Sequence, residues 1–233
     1  FFQAIGFKNY THYIPDRMSE GYGINIAAVQ YLALEQKAQV IITMDTGITA
    51  NVEAQWCKEN GVQFICTDHH KIQIEKMPDC IILNPKLHPD PIYQELCGCG
   101  ITFVLLRKLG AYFKPSPEVW LDILALTGMA TICDVVPLNR GSHRLAQLGV
   151  QSILRSKRAI FKELLDVCTD PNKVDEWDVG FRIGPRINAV GRLDHANKVI
   201  RAFIDSDVTP LVQHMSTLNE SRKLTQSEIV DQA

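Results

Sequence analysis

The sequence lacks any apolar run long enough to cross a membrane. Its densest apolar stretches, Val40–Met44 and residues 101–106, span five and six residues, whereas a membrane-spanning helix needs about 20. A basic region followed by an apolar stretch, the mark of a secretory signal, is also missing near Phe1. These absences exclude the membrane and exported classes, so we expect a cytoplasmic protein that binds no membrane.

Paired cysteine spacing is missing as well. The seven cysteines are an odd number and contain no CxxC pair. Most lie among apolar neighbours, where a free cysteine behaves as a small hydrophobic residue. This pattern fits a reducing compartment, and it argues against a disulfide framework or a thiolate zinc site.

An excess of charge of one sign is absent too. The chain carries 24 Lys and Arg against 26 Asp and Glu, a net charge of −2. That balance argues against a protein that binds nucleic acid through bulk positive charge. Two local basic zones could still bind it, and each could equally be the solvated face of a helix. The zones are Arg140, His143, Arg144, Arg155, Lys157, Arg158 and Lys162, and then Arg182, Arg186, Arg192, Lys198 and Arg201.

Both ends of the sequence suggest part of a longer protein. The chain begins with Phe1 instead of Met, and it ends inside a helical pattern. Its 233 residues are 46% hydrophobic and 21% charged, which is enough for the core of one large or two small domains. We therefore expect a folded internal segment.

Alternating strand and helix patterns predict an α/β fold. Continuous apolar runs are typical of buried parallel strands, and helical patterns separate them. The expected fold is an open, mostly parallel sheet with helices on both faces, followed by a helical connector. The predicted strands are residues 10–14, Val40–Met44, 62–66 and 80–83, and the predicted helices are residues 25–37, 49–60, 100–109 and 119–129.

Polar side chains follow the two strongest predicted strands. Asp45 ends the first, and Asp68, His69 and His70 follow the second, starting 23 residues further along. With one helix between them, these strands form a strand–helix–strand unit and point the same way. Their carboxyl ends then share one edge of the sheet, where open α/β sheets bind ligands. Carboxylates and imidazoles together suit Mn²⁺, with Mg²⁺ as the alternative.

A third acid follows an apolar helical stretch. Asp134 stands between residues 121–132 and a Val-Val-Pro sequence, a setting that solvation explains poorly. Taken singly, Asp134 could end a helix and Asp45, before Thr-Gly, could form a turn. His69 and His70 could be ordinary surface residues. Their joint position at one sheet edge favours a metal site.

A segment rich in glycine and arginine comes later. In Gly184-Pro185-Arg186-Ile187-Asn188-Ala189-Val190-Gly191-Arg192, two arginines flank an asparagine. Glycine lets the backbone approach a ligand closely, and arginine grips phosphate through paired hydrogen bonds. The segment therefore predicts a phosphodiester clamp. The alternative is a tight turn between elements with arginines at the surface.

Four segments, in order, resemble the motifs of the DHH phosphoesterase superfamily. Within it, the last two are most similar to bacterial exonucleases that degrade single-stranded DNA. The resemblance covers essentially the whole chain. Its supporting segments are Ile14-Pro15-Asp16-Arg17 with Glu20-Gly21-Tyr22-Gly23, Leu83-Asn84-Pro85 and Gly98-Cys99-Gly100-Ile101. The four segments are Asp45-Thr46-Gly47-Ile48-Thr49, Thr67-Asp68-His69-His70, Ala130-Thr131-Ile132-Cys133-Asp134-Val135-Val136-Pro137-Leu138 and the nine residues from Gly184 to Arg192.

The resemblance implies a role for each matching residue. Asp45, His69 and Asp134 would be metal ligands, with Asp45 bridging two ions. His70 would face the scissile phosphate, and Asp68 would orient the histidine pair through hydrogen bonds. The residues implied to grip phosphates are Arg17, Arg186, Asn188 and Arg192.

The implied activity is metal-dependent 5′→3′ hydrolysis of single-stranded DNA in repair and recombination. Single-stranded DNA is the expected partner, a helicase and a single-strand-binding protein are further ones, and a monomer is expected. Two alternatives stay open. One is a relative acting on oligoribonucleotides, cyclic dinucleotides or pyrophosphate, and the other is a non-catalytic relative that binds single strands.

The chain departs from the family pattern in three ways. Thr46 replaces the usual asparagine, the first Asp-rich strand end would lie before Phe1, and the C-terminal glycine-rich domain is missing. We expect residues 1–170 to be the core, 171–215 its end with the Gly-Pro-Arg-Ile-Asn motif, and 216–233 the start of a connector helix. Because part of the metal shell would lie upstream, the chain alone should show little nuclease activity.

Overall fold

A three-stranded parallel sheet begins the fold. The computed structural model describes residues 1–16, 19–204 and 208–231. The strands are β1 (Val40–Met44), β2 (Gln63–Thr67) and β3 (Ile81–Leu83), with β2 in the middle. Both pairings are parallel, and Ile65 of β2 lies between Ile42 and Ile81. The three parallel strands and the open α/β fold predicted from the sequence are confirmed.

Helices pack against the sheet. The side chain of Asn25 accepts a hydrogen bond from the Ala28 N–H and caps the first helix, as the sequence predicts. The helix between β1 and β2 packs on Phe64, and a long later helix contacts both strands. These elements are α1 (Ile26–Gln30) with a π-helical turn (Tyr31–Glu35), α2 (Asn51–Glu59), α3 (Pro91–Gln94) and α4 (Gly98–Phe113).

The strand expected at residues 10–14 is wrong. Residues 7–16 have no regular structure, although polar and apolar residues alternate there. A strand needs a partner for its backbone groups, and residues 7–16 pair with none of the strands that the structure describes. Their aromatic side chains instead make separate contacts with neighbouring residues. Tyr10 lies against Phe2, with ring centroids 5.3 Å apart, and the Tyr13 hydroxyl donates to Glu20.

The second part of the chain is helical. Two long helices pack antiparallel so closely that a Cβ on Gly128 would lie 2.5 Å from the Cα of Gly149. None of the helices that the structure describes is long and apolar enough to cross a bilayer. Residues 232–233 of the expected connector lie outside the described residues. The helices are α5 (Pro117–Cys133), α6 (Arg140–Arg155), α7 (Ala159–Leu165), α8 (Glu176–Asp178) with a π-helical turn (Val179–Ile183), α9 (Gly184–Leu193), α10 (Asn197–Ile204) and α11 (Thr209–Asp231).

The segment from Gly184 onwards forms helix α9, so the alternative reading as a tight turn is wrong. A Cβ at Gly184 would collide with the Sγ of Cys133, at the end of α5, whereas Gly191 has no heavy atom within 4 Å of such a Cβ. The close approach that Gly184 permits is therefore made to another helix.

Two clusters of buried apolar side chains hold these parts together. We call residues 1–113 the sheet half and residues 117–231 the helical half. The core of the sheet half is small, and that of the helical half is larger. The sheet core comprises Val29, Ile41, Ile48, Ala50, Ala54, Cys57, Phe64 and Cys66. The bulkiest fully buried side chains are Phe161, Ile153, Ile160, Leu164, Ile183 and Met215, and all belong to the helical core.

Candidate metal centre

A constrained turn carries Asp45 away from the end of β1. Its backbone is left-handed, with φ of 62°, which is rare for a residue with a side chain. The Asp45 N–H still donates to the carbonyl of Thr67 at 2.9 Å. The Thr43 hydroxyl donates to the carbonyl of Thr46 at 2.7 Å, and a Cβ at Gly47 would collide with that hydroxyl. Local strain of this kind is common at functional sites.

Asp68 organises the turn after β2 from a buried position, with 1% exposure. Its Oδ2 accepts from the N–H of Ile48 at 2.9 Å. Its Oδ1 accepts from the N–H groups of His69 and His70 at 2.8 and 3.2 Å. The same oxygen lies 2.7 Å from Nδ1 of His70. When Nδ1 donates to this carboxylate, the Nε2 of His70 is the nitrogen left free.

Four side chains meet in front of this turn: Asp45, His69, His70 and Asp134. The Nε2 of His69 lies 3.0 Å from Oδ1 of Asp45 and 3.4 Å from Oδ2 of Asp134. Ligand atoms of Asp45, His69 and His70 all lie within 4.8 Å of one another. The hydrogen bond with Asp45 raises the pKa of His69, and burial raises the pKa of Asp134. The structure thus brings two carboxylates and two imidazoles together.

Asp134 reaches the cluster from the helical half. It follows α5 directly, and its N–H donates to the carbonyl of Ala130 at 2.9 Å. Val135 then turns the chain with a φ of 55°. The packing of Gly184 against Cys133 fixes the end of α5 from the other side. One part of the glycine- and arginine-rich segment therefore supports the position of a candidate ligand.

Two residues from the segments that carry the family resemblance support the site through contacts that the sequence did not predict. The Asn84 amide donates to the carbonyl of His70 at 3.1 Å, while its oxygen accepts from the Lys86 N–H at 2.9 Å. Gly98, the first residue of α4, lies directly against Asp45. Their sequence signals were an Asn-Pro pair after a strand and a glycine at a helix start. Neither signal identifies the distant residue that each one contacts.

The predicted phosphate-binding residues differ in their surroundings. The Arg186 guanidinium donates to Oγ of Ser216 at 3.1 Å and to a backbone carbonyl one turn earlier at 2.7 Å. Asn188 and Arg192 are exposed one turn apart on α9. Within the described residues, no hydrogen bond or ion pair joins these three to the metal-site side chains. Arg17 lies outside the described residues.

The donor set fits a divalent cation that accepts both oxygen and nitrogen. Asp45 and Asp134 offer carboxylate oxygens, and His69 and His70 offer imidazole nitrogens, a combination from which a Mn²⁺ site could be built. Burial raises the pKa of the Cys66 thiol to about 12, so this neighbouring cysteine stays protonated.

Comparison with known proteins places this geometry in a family. The family model described as "DHH family, N-terminal domain" matches residues 1–129, which is more than half of the chain. The chain belongs to the DHH family. Asp45 and the triplet Asp68, His69 and His70 lie inside the matched region, and Asp134 lies just beyond it.

Relatives of this DHH-family chain are RecJ proteins. It is 37% identical over 228 residues to the single-stranded-DNA-specific exonuclease RecJ of Bacillus subtilis, covering 95% of this chain and 28% of the relative. It resembles the crystal structure of exonuclease RecJ bound to manganese, with a TM-score of 0.84, 32% identity and coverage of 94% and 56%. For RecJ of Thermus thermophilus with Mg²⁺, the TM-score is 0.62, the identity 25% and the coverage 89% and 35%. The chain therefore spans less than two thirds of each protein.

Proposed function

We propose that this chain is the catalytic core of an exonuclease that hydrolyses single-stranded DNA with a divalent metal. The observation that carries the proposal is the meeting of Asp45 and Asp134 at one nitrogen of His69, at 3.0 and 3.4 Å. The names of the relatives support single-stranded DNA as the substrate. The manganese and magnesium in the similar structures support the metal.

Each side chain of the centre has a separate task in this proposal. Asp45, His69 and Asp134 would hold Mn²⁺ or Mg²⁺, and Asp45 would bridge two ions. Bound metal supplies a nucleophilic water at neutral pH and neutralises charge on the phosphoryl oxygens. His70 would turn its free Nε2 towards the scissile phosphate. Asp68 would orient His70 through the 2.7 Å contact at Nδ1.

Substrate binding would use charges outside this cluster. Asn188 and Arg192 are exposed on α9 and free to contact phosphates. Arg186 is held by α11, so its contribution would require that bond to be shared or broken. Arg17 completes the proposed set. We propose that these residues line a basic groove too narrow for duplex DNA, which would select single strands whose bases stack without being read.

We also propose that the chain belongs to a larger protein. It covers 28% of the Bacillus subtilis relative and 41% of the Escherichia coli one. Residues 1–170 would be the core, 171–215 its end and 216–233 the start of a connector helix. The larger protein would be a cytoplasmic monomer that degrades strands 5′→3′ in repair and recombination, together with a helicase and a single-strand-binding protein.

The deciding experiment compares substrates for the full-length protein in Mn²⁺. We expect faster degradation of a 5′-phosphorylated single strand than of duplex DNA, a dinucleotide, a cyclic dinucleotide or pyrophosphate. The His69→Ala variant should lose this activity, whereas His12→Ala, at an exposed histidine, should keep it. Preference for a small substrate would favour another DHH phosphoesterase. Strand binding without Mn²⁺ binding would favour the non-catalytic alternative.

A further inference from the structure

We propose that Gly98 is a positioning residue of the metal centre, because its missing side chain makes room for the carboxylate of Asp45. The proposal rests on the proposed function, in which Asp45 binds the metal. Gly98 lies 53 residues from Asp45 in the chain and meets it only through the fold.

The contact is too close for any other residue. A Cβ at Gly98 would lie 2.6 Å from both Cβ and Cγ of Asp45, and it would collide with Oδ1 as well. That same Oδ1 is the atom 3.0 Å from Nε2 of His69. The Asp45 carboxylate therefore has an imidazole on one side and the first residue of α4 on the other, while 57% of its side chain faces solvent.

The backbone of Asp45 has little freedom to retreat from an added methyl group. Its N–H is fixed to the Thr67 carbonyl, and its backbone is already in the left-handed region. The following turn is held by the hydroxyl of Thr43. Moving the side chain away from Gly98 would therefore change its distance from His69.

The start of α4 cannot easily retreat either. The Sγ of Cys97 lies 3.5 Å from Oγ1 of Thr131, three residues before Asp134. The same sulfur accepts from the Gly100 N–H at 3.3 Å and caps the helix. A shift of Gly98 would consequently disturb α5, which carries the opposite carboxylate of the centre.

The clash caused by a methyl group at Gly98 would thus be relieved by movement of Asp45 in the metal centre. To bring the Asp45 atoms from 2.6 Å to the 3.4 Å at which ordinary contact begins, they must move by about 0.8 Å. Metal sites tolerate errors of only about 0.2 Å in ligand distances. The geometry therefore ties metal affinity to the size of residue 98.

The test uses Mn²⁺ titration of the full-length protein, followed by electron paramagnetic resonance of the free ion. We expect Gly98→Ala to weaken Mn²⁺ binding about 10- to 100-fold, the usual effect of disturbing a residue that orients a ligand. The matched control is Gly100→Ala. A Cβ there would lie 3.4 Å from Leu96, which is an ordinary contact in the same helical turn.

Two results would overturn the proposal: unchanged Mn²⁺ affinity in Gly98→Ala, or equal weakening by both alanines. If Gly98→Ala fails to fold, a double variant combines it with Asp45→Gly, which removes every colliding atom. Folding should then recover, and continued failure would contradict the proposed contact. A wild-type protein that binds no Mn²⁺ would instead refute the proposed function itself.

Discussion

The two halves of the molecule use their buried polar groups differently. In the sheet half, buried Asp68 and Asn84 hold the histidines through their backbone and side-chain atoms. In the helical half, buried Ser142 and Asp178 cap helices and fasten loops. The buried polar groups of the sheet half thus support the candidate site. Those of the helical half support packing, and this half contributes Asp134 to the site. The candidate metal centre consequently depends on how the two halves are joined.

That joint lies between α4 and α5. Cys97, which caps α4, lies 3.5 Å from Thr131 of α5, and Cys99 of α4 lies 3.8 Å from Thr127. Further along, a Cβ at Gly110 would collide with the Trp120 ring. Small residues at the start and end of α4 therefore let the helices approach closely, and this fixes the candidate ligands of one half relative to those of the other.

The largest expected effect tests whether both halves contribute ligands. In the full-length protein, Asp45→Asn in the sheet half and Asp134→Asn in the helical half should each reduce the proposed Mn²⁺-dependent cleavage by more than about 100-fold. Loss of a proposed ligand should exceed the effect of disturbing a supporting residue. Neither substitution should lower the melting temperature of the metal-free protein, because each removes one of two negative charges that lie close together. Cleavage assays and thermal unfolding measure the two effects.

Asp122, also on α5, gives the matched control. It accepts from Oγ of Ser156 at 2.6 Å and pairs with Nε of Arg158 at 2.5 Å. Asp122→Asn should therefore lower stability by about 1 kcal/mol and leave cleavage intact. Full activity in Asp134→Asn would mean that the centre belongs to the sheet half alone.

A smaller effect concerns packing of the helical half. Gly149→Ala should destabilise the protein by about 2–3 kcal/mol, because the new Cβ would collide with the backbone of Gly128. Gly191→Ala in α9 is the control, with no heavy atom within 4 Å of the added Cβ. It should stabilise the helix by about 0.5–1 kcal/mol. Urea unfolding distinguishes the two, and equal responses would contradict close α5–α6 contact.

The sequence predicted the sheet half's framework better than its supporting contacts. Buried parallel strands produce continuous apolar runs, so β1 and β2 were visible, and parallel topology then placed Asp45 and His69 at the same edge. The alternation of polar and apolar residues at 10–14 predicted a strand that does not form, because such a pattern does not show whether a partner strand lies beside it. The contact between Gly98 and Asp45 was invisible, because it joins residues 53 positions apart.

The helical half shows a related limit. The segment containing Arg186 and Arg192 predicted phosphate binding from residue type, which does not reveal where a side chain points. In a helix, residues six apart face different directions, and Arg186 turns towards Ser216 on α11. Whether Arg192 binds phosphate stays a prediction.

The third effect separates these two arginines. Arg186→Ala should lower the free energy of unfolding by about 1 kcal/mol, because it removes the bond to Ser216 and one to a backbone carbonyl. Arg192→Ala should leave stability within about 0.5 kcal/mol and weaken strand binding. For Arg192→Ala, the slope of log affinity against log salt concentration should also be less steep, by about 0.7. Fluorescence anisotropy at several salt concentrations measures this, and an unchanged slope would remove Arg192 from the substrate site.

The smallest effect is a pH dependence confined to the helical half. Hydrogen bonds from Lys198 and His214 hold the pKa of Asp194 well below its usual range, at 2.6 and 2.7 Å. A depressed pKa contributes stability above the unfolded value of about 3.9, and that stability is lost as the pH falls below it. Because Asp194 is partly exposed, the contribution should be about 1 kcal/mol or less. Urea unfolding between pH 3 and 6 should therefore show a weaker acid dependence for Asp194→Asn.

An ion pair in the sheet half provides the contrast for that measurement. Asp79 pairs with Lys58 at 2.5 Å, but both side chains are largely exposed, at 79% and 62%. Solvent screening leaves such a pair little net effect, so Asp79→Asn should not change the acid dependence measurably. If Asp79→Asn and Asp194→Asn behave alike, the bridge from α9 to α11 contributes no more than a surface pair. The helical half would then be stabilised by its apolar core and the α5–α6 contact, without help from this charge cluster.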